Sequence, residues 1–130
     1  MTLRSLALVS VVLTPFVVAG TGTAGTMATA TANPSIHFTP NPVHAGAVVR
    51  VHGSAGGCTV GDAVTVLSRA FPHTHTFAGV PAVSATVRPN GDYAKRVRIP
   101  LQRRPASYKA TARCGGGSFG VLARLHVLAA

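Results

Sequence analysis

The sequence predicts an all-β fold, an antiparallel sandwich of seven short strands closed by one disulfide. Apolar and polar residues alternate with the period of two that marks a strand, and almost no segment has a helical period. Turn residues interrupt the alternation at regular intervals, which is typical of a sandwich. The predicted strands are residues 35–39, 47–53, 63–68, 83–87, 93–99, 107–114 and 119–128.

The first three strands are bounded by proline and glycine. The first strand stops at the turn sequence Pro-Asn-Pro, residues 40–42. In the second strand, Val49 and Val51 lie on one face and Arg50 and His52 on the other. A glycine-rich turn follows this strand, and a longer loop follows the third.

The last four strands contain the clearest hairpin signal and one break in the pattern. An Asn-Gly pair at residues 90–91 follows the fourth strand, and both residue types tolerate the positive φ of a tight turn. In the fifth strand, Arg96 and Arg98 face outward, whereas Lys95 falls among the inward positions. An edge position or a β-bulge would explain this lysine. A run of glycines at 115–117 separates the last two strands.

The N-terminus has the order of a secretory signal peptide. Arg4 supplies positive charge, residues 6–20 are almost entirely apolar, and small residues follow with Ala-x-Ala triplets within 28–32. The apolar segment is short for a membrane anchor. We therefore expect cleavage after Ala32, with Ala30 as the alternative site. We also expect no transmembrane segment in the mature chain, and one secreted, extracellular domain formed by residues 33–130.

The two cysteines each close an alternating segment. Cys58 follows the second strand and its glycine-rich tail, and Cys114 ends the sixth. Export to an oxidising compartment favours a disulfide bond between them over two free buried thiols.

The charge is strongly one-sided. The chain has 12 Lys and Arg against 2 Asp and Glu, a formal net charge of +10 with neutral histidines. A basic surface attracts polyanions such as nucleic acid, teichoic-acid-like polymers and acidic polysaccharides. Solubility, together with arginine usage that follows codon composition, is the alternative explanation of the same charge.

Two runs carry turns, core positions and cysteines in the arrangement of a known family. They are Thr39-Pro40…Gly46…Val49-x-Val51-x-Gly53…Cys58…Gly61-x-x-Val64-x-Val66 and Asn90-Gly91-Asp92-Tyr93…Val97-x-Ile99-Pro100…Ser107-Tyr108-x-Ala110-x-Ala112-x-Cys114. The chain resembles the small secreted immunoglobulin-like domain proteins of actinobacteria. The resemblance implies an immunoglobulin-like sandwich and a secreted protein, and it implies no activity.

The first of these runs is also similar, more distantly, to the enediyne-carrying chromoproteins. The shared pattern is Thr39-Pro40…Gly46-x-Val48-Val49-x-Val51-x-Gly53. This resemblance implies an alternative function, the carriage of a small molecule in a cleft near the disulfide-closed end. An apolar pocket between the sixth and seventh strands would favour the carrier, whereas a flat basic face would favour a polymer.

The sequence predicts no enzyme. The two carboxylates, Asp62 and Asp92, both lie in turns, where they are expected to bond to turn amides. The cysteines are used in the predicted disulfide, so no thiol nucleophile remains.

The loop histidines are weak metal-site candidates. His44, His73 and His75 are expected at the same end of the sandwich as Arg103 and Arg104. A zinc or copper site needs about three or four such ligands, and the two arginines repel a cation. We therefore predict solvated histidines, no metal and no cofactor.

The basic residues are the best candidates for binding. Strand parity turns four arginines outward on the second, fourth and fifth strands, which are predicted to share a sheet, and two more lie at one end of the sandwich. The candidate polyanion-binding residues are Arg50, Arg88, Arg96, Arg98, Arg103 and Arg104. Guanidinium groups pair well with phosphate, sulfate and carboxylate. Few aromatic residues are present to stack on bases, so the anionic polymers of a cell envelope are the first expected partners and nucleic acid is the alternative.

Overall fold

The structure is a computed structural model that describes residues 33–130 with the exception of Gly116. The predicted signal peptide, residues 1–32, lies outside the described residues. Within the described range the chain forms nine strands and no helix. They are β1 His37–Thr39, β2 Val43–His44, β3 Val48–Ser54, β4 Ala63–Ser68, β5 Thr76–Phe77, β6 Val80–Thr86, β7 Asp92–Arg98, β8 Ala106–Cys114 and β9 Gly117–Leu128. The all-β prediction is confirmed.

The strands form two sheets. The three-stranded sheet has the order β1-β3-β7, and the six-stranded sheet has the order β2-β9-β8-β4-β6-β5. The pairings are antiparallel except that of β2 with β9, which is parallel. Within the described part of the chain, no helix has the length and apolar character that a membrane crossing requires.

The core lies between the inward faces of both sheets. Val49, Val51 and Val97 enter it from the three-stranded sheet, and Val64 and Leu125 enter it from the six-stranded sheet. Each belongs to the apolar parity of its strand, so the alternation in the sequence identifies the core. Full burial of such a side chain stabilises the fold by about 1.5–3 kcal/mol.

Two short strands were not predicted. The seven predicted strands each correspond to one observed strand, and the structure adds β2 and β5, of two residues each. Two residues are too few to show an alternation, so these strands have no sequence signal. The purely antiparallel sandwich of seven strands is corrected accordingly.

The sheet membership of β6 also differs from the prediction. β6 pairs with β4 and β5 in the six-stranded sheet, rather than sharing a sheet with β3 and β7. The turn after β6 closes with a hydrogen bond from the Arg88 N–H to the Asp92 carbonyl, at 2.8 Å. Gly91 has a φ of 82° there, as the Asn-Gly signal predicts for a turn. This turn carries the chain from one sheet to the other instead of forming a hairpin ladder.

The position of β7 explains the unusual lysine. β7 is an edge strand of the three-stranded sheet, and the irregularity recorded in strand pairing lies in β8–β9 instead. Lys95 is exposed, although Tyr93 and Val97 on the same parity are buried. The edge explanation is therefore confirmed.

The disulfide joins Cys58 to Cys114 as predicted, with their Cα atoms 5.9 Å apart. It links the β3–β4 connection to the end of β8, where Cys114 lies opposite Val64 of β4. Cys58 packs against the core.

Candidate anion-binding surface

Arginine side chains meet on the outer face of the three-stranded sheet. Arg50 of β3 lies directly opposite Arg96 of β7. Arg98, two residues further along β7 and on the same face, lies opposite Val48. All three arginines are exposed, because they alternate with buried residues of β3 and β7. We call Arg50, Arg96 and Arg98 the basic face.

Arg88 reaches this region by a route that parity did not predict. It follows the end of β6, which belongs to the six-stranded sheet, and it lies in the turn that leads to β7 of the three-stranded sheet. There it lines a shallow depression of about 300 Å³ together with Arg50, His52 and Asp92. The predicted grouping of Arg88 with Arg50 is therefore observed, although the reason given for it is wrong.

His52 lies beside the basic face and is held in a network with β1. Its Nε2 lies 2.9 Å from the hydroxyl of Thr39, and its ring centroid lies 5.7 Å from that of His37. Burial lowers the pKa of His52, and the positive charges of Arg50 and His37 lower it further. An anion placed here would act in the opposite direction.

The carboxylate at this end of the sheet is used in its own turn. Asp92 Oδ2 accepts a hydrogen bond from Asn90 Nδ2 at 3.2 Å, and the Asp92 N–H donates to Asn90 Oδ1 at 3.0 Å. The predicted role of Asp92 in turn formation is confirmed.

Arg103 and Arg104 differ from each other. Arg103 is half-buried, and its guanidinium donates to the Ala70 carbonyl at 3.2 Å and to the Phe71 carbonyl at 2.9 Å. It thus fastens the connection after β7 to the loop after β4. Arg104 is exposed, and its carbonyl accepts the hydroxyl proton of Tyr108 at 2.6 Å. Of this pair, Arg104 has the side chain more open to a ligand.

The loop histidines do not form one cluster. His44 lies in β2, and its Nδ1 donates to the Ala129 carbonyl at 2.8 Å. His73 is exposed, and His75 lines a cleft beside β7. In residues 33–130 without Gly116, one group of three potential metal ligands occurs, and two of its three ligand atoms are the disulfide sulfurs. It consists of Cys58, Asp62 and Cys114.

The cleft beside β7 was missed by sequence reasoning. It has a volume of about 600 Å³ and lies between the β7 edge, strands β4 and β6, and the segment 72–77. Lys95, Arg96, Arg98 and His75 contribute basic groups to it, and none of its lining residues is acidic. The signal that could have found it was Lys95, which sits at an inward position.

A second hollow lies on the outer face of the six-stranded sheet. It measures about 450 Å³, and Leu67, Val80, Arg69 and Lys109 are among its lining residues. Its lining includes residues of β8 and none of β9. It is therefore not the pocket between the last two strands that would have favoured a carrier.

No protein-family model and no curated protein matches this chain. Among solved structures, it is similar to macromomycin, with a TM-score of 0.47 and 16% sequence identity. The match covers 75% of this chain and 99% of macromomycin. A similarity of this size carries no inference about function. What the described residues define is an all-β protein with one disulfide, a basic face and an adjoining basic cleft.

Proposed function

We propose that this protein is a non-enzymatic, secreted binding module for anionic polymers, with those of a cell envelope as the first candidates. The observation that carries the proposal is the direct opposition of Arg50 and Arg96 across β3 and β7, with Arg98 beside them. Arg88 lines the same shallow depression as Arg50.

Like charges directly opposite each other destabilise a sheet. A bound anion offsets this repulsion, because each guanidinium can donate two parallel hydrogen bonds to phosphate, sulfate or carboxylate. A polymer that spans several arginines would displace its own counterions, so its affinity should fall steeply with salt.

Secretion is supported by the predicted signal peptide and by the disulfide, since disulfides persist in oxidising compartments. The absence of catalysis is supported by the scarcity of acidic groups. Only two carboxylates occur in the chain, and the one at the basic face is bonded within its own turn.

A charge-matched pair of variants tests the proposal. Arg50→Ser with Arg96→Ser removes the opposed pair on the three-stranded sheet. Lys109→Ser with Arg124→Ser removes another exposed, directly opposed pair, which lies on the six-stranded sheet. Both double variants lose two positive charges, so they separate a specific surface from net charge.

The measurement is the salt concentration that elutes each protein from a column of immobilised acidic polysaccharide. The first variant should elute clearly earlier than wild type, and the second only slightly earlier. Equal shifts for both variants would mean that net charge alone governs retention, and the basic face would then have no special role.

The cleft favours a second candidate function, the carriage of a small molecule. Its volume of about 600 Å³ lies in the range of small-molecule sites, and its lining includes Phe77, Val83 and Val97. A carrier would bind one molecule per chain with little dependence on salt, whereas the polymer would bind with a steep dependence. A salt series therefore distinguishes the two functions.

A further inference from the structure

Lys95 marks the place where the basic face continues into the cleft. It lies opposite Val51 and on the inward parity of β7, between the buried Tyr93 and Val97. Because β7 has no neighbour on its other side in the three-stranded sheet, this inward position opens into the cleft instead of the core.

The basic groups of the cleft have no acidic counterpart in its lining. Lys95, Arg96, Arg98 and His75 line it, and Arg98 Nη1 donates to the Gly46 carbonyl at 2.9 Å. Charges that gather around an open cavity without a carboxylate favour an anionic ligand. The cleft should therefore accept at least one acidic group.

The rest of the lining suits a hydroxylated ring. Four hydroxyl-bearing residues, Thr65, Thr74, Thr76 and Ser84, line the cleft, and the hydroxyls of Thr65 and Ser84 lie 3.4 Å apart. Phe77 adds an aromatic surface that is 41% exposed. A sugar presents hydroxyls at its edge and C–H groups on its face, so it matches both features.

The same lining disfavours a nucleic acid. Single strands bind on several aromatic side chains that each stack a base. The cleft offers the single ring of Phe77, and the guanidinium of Arg113 already lies 5.1 Å from the centroid of that ring. One partly covered ring is too little for base stacking.

The cleft is continuous with the basic face. Arg96 and Arg98 belong to the basic face and also line the cleft. A polymer that crosses the basic face toward the β7 edge therefore reaches Lys95 next.

We propose that the cleft is a subsite for one acidic sugar residue of an anionic polysaccharide, with Lys95 binding its acidic group. This inference rests on the proposed function, since the polymer is the one that the basic face would bind. It adds the chemical class of the polymer and a residue that selects for it.

Lys95→Ser tests the subsite, and Lys109→Ser is the matched control. Both lysines are exposed on strands, so neither change should prevent folding. The probe is a tetramer of galacturonic acid, and the comparison of the two lysine variants isolates the contribution of the cleft. Affinity is measured by calorimetry, and the binding place by amide chemical shifts.

Lys95→Ser should weaken binding of the tetramer about tenfold, the effect of losing one charge-assisted hydrogen bond. Lys109→Ser should change the affinity less than about twofold, as for a surface charge away from the ligand. In wild type the largest shifts should fall on Phe77, Val83 and Ser84.

The outcomes separate this inference from the proposed function. One outcome is that Lys95→Ser binds the tetramer as tightly as Lys109→Ser does, while retention on the column still depends on Arg50 and Arg96. In that case the subsite is overturned and the polymer function stands. If retention ignores those arginines while tetramer binding needs Lys95, the polymer function fails and the subsite stands. If retention does not depend on the two arginines and tetramer binding does not depend on Lys95, both the polymer function and the subsite are overturned.

A competition arm tests the sugar itself. Inorganic polyphosphate and oligothymidylate carry the charge without an acidic sugar ring. If either binds the cleft more tightly than the tetramer and with the same dependence on Lys95, the site recognises phosphate and the assignment to an acidic sugar is wrong.

Discussion

Removal of the disulfide should lower the free energy of unfolding by about 4 kcal/mol. Cys58 and Cys114 are separated by 56 positions, and the bond closes a loop of that length in the unfolded chain. On the chain-entropy model, such a loop removes about 14 cal/mol/K from the entropy of the unfolded state, which gives about 4 kcal/mol at 25 °C. Domains of this size have a total stability of about 5–15 kcal/mol, so the loss is a large fraction.

The variant is Cys58→Ala with Cys114→Ala, which keeps a small apolar side chain at both positions. Urea unfolding should show a midpoint lower by about 2 M, for a denaturant slope of about 2 kcal/mol/M. Wild type with a reductant should shift similarly, whereas the variant should not respond to the reductant. A loss below about 1 kcal/mol would refute the argument, because the unfolded chain would then not be constrained by this loop.

Three further changes test other parts of the fold. Tyr93→Phe should cost about 1 kcal/mol by removing the hydrogen bond from its buried hydroxyl to the Ser35 carbonyl at 2.7 Å, as measured by urea unfolding. Burial raises the pKa of Tyr93 above its ordinary 10.0, so wild type should lose stability as the pH rises above that value, and the variant should lose less. Gly53→Ala should cost about 1–3 kcal/mol in thermal unfolding, because the added Cβ would overlap the backbone carbonyl of Ser35. Burial, Arg50 and a neighbouring histidine lower the pKa of His52 below 6.5, so the unfolded state gains a proton first as the pH falls. Stability should therefore decrease below about pH 6.5, and His52→Gln should reduce that decrease; equal pH profiles for the two proteins would contradict it.

Alternation predicted the long strands because one face of each is buried. β3 shows this most clearly, with Val49 and Val51 buried and Arg50 exposed, and β4 has the predicted bounds of 63–68. The same rule placed Arg50 and Arg96 on one outer face, and the structure sets them directly opposite each other. The sequence could therefore predict the part of the basic face that depends only on the pairing of β3 with β7.

Alternation could not predict which strands become neighbours. Val83 and Ala85 of β6 would be buried equally well if β6 belonged to either sheet. In the structure they pair with Val66 and Val64 of β4. Hydrophobic burial has no direction along the sheet, so it does not select the partner. The sheet order therefore had to come from the structure.

The cleft exists because of this unpredicted order. With β6 in the six-stranded sheet, β7 becomes the edge of the smaller sheet, and its inward position at residue 95 is left uncovered. An apolar residue there would leave an exposed edge strand prone to aggregation, and an inward-pointing lysine is one way in which proteins protect such an edge. Edge protection alone does not require that Arg96 and Arg98 also line the cleft. It also does not require the hydroxyl-bearing residues of the lining or the lack of carboxylates there. Binding and edge protection thus make different demands on the same strand, and the response of tetramer affinity to Lys95→Ser separates them.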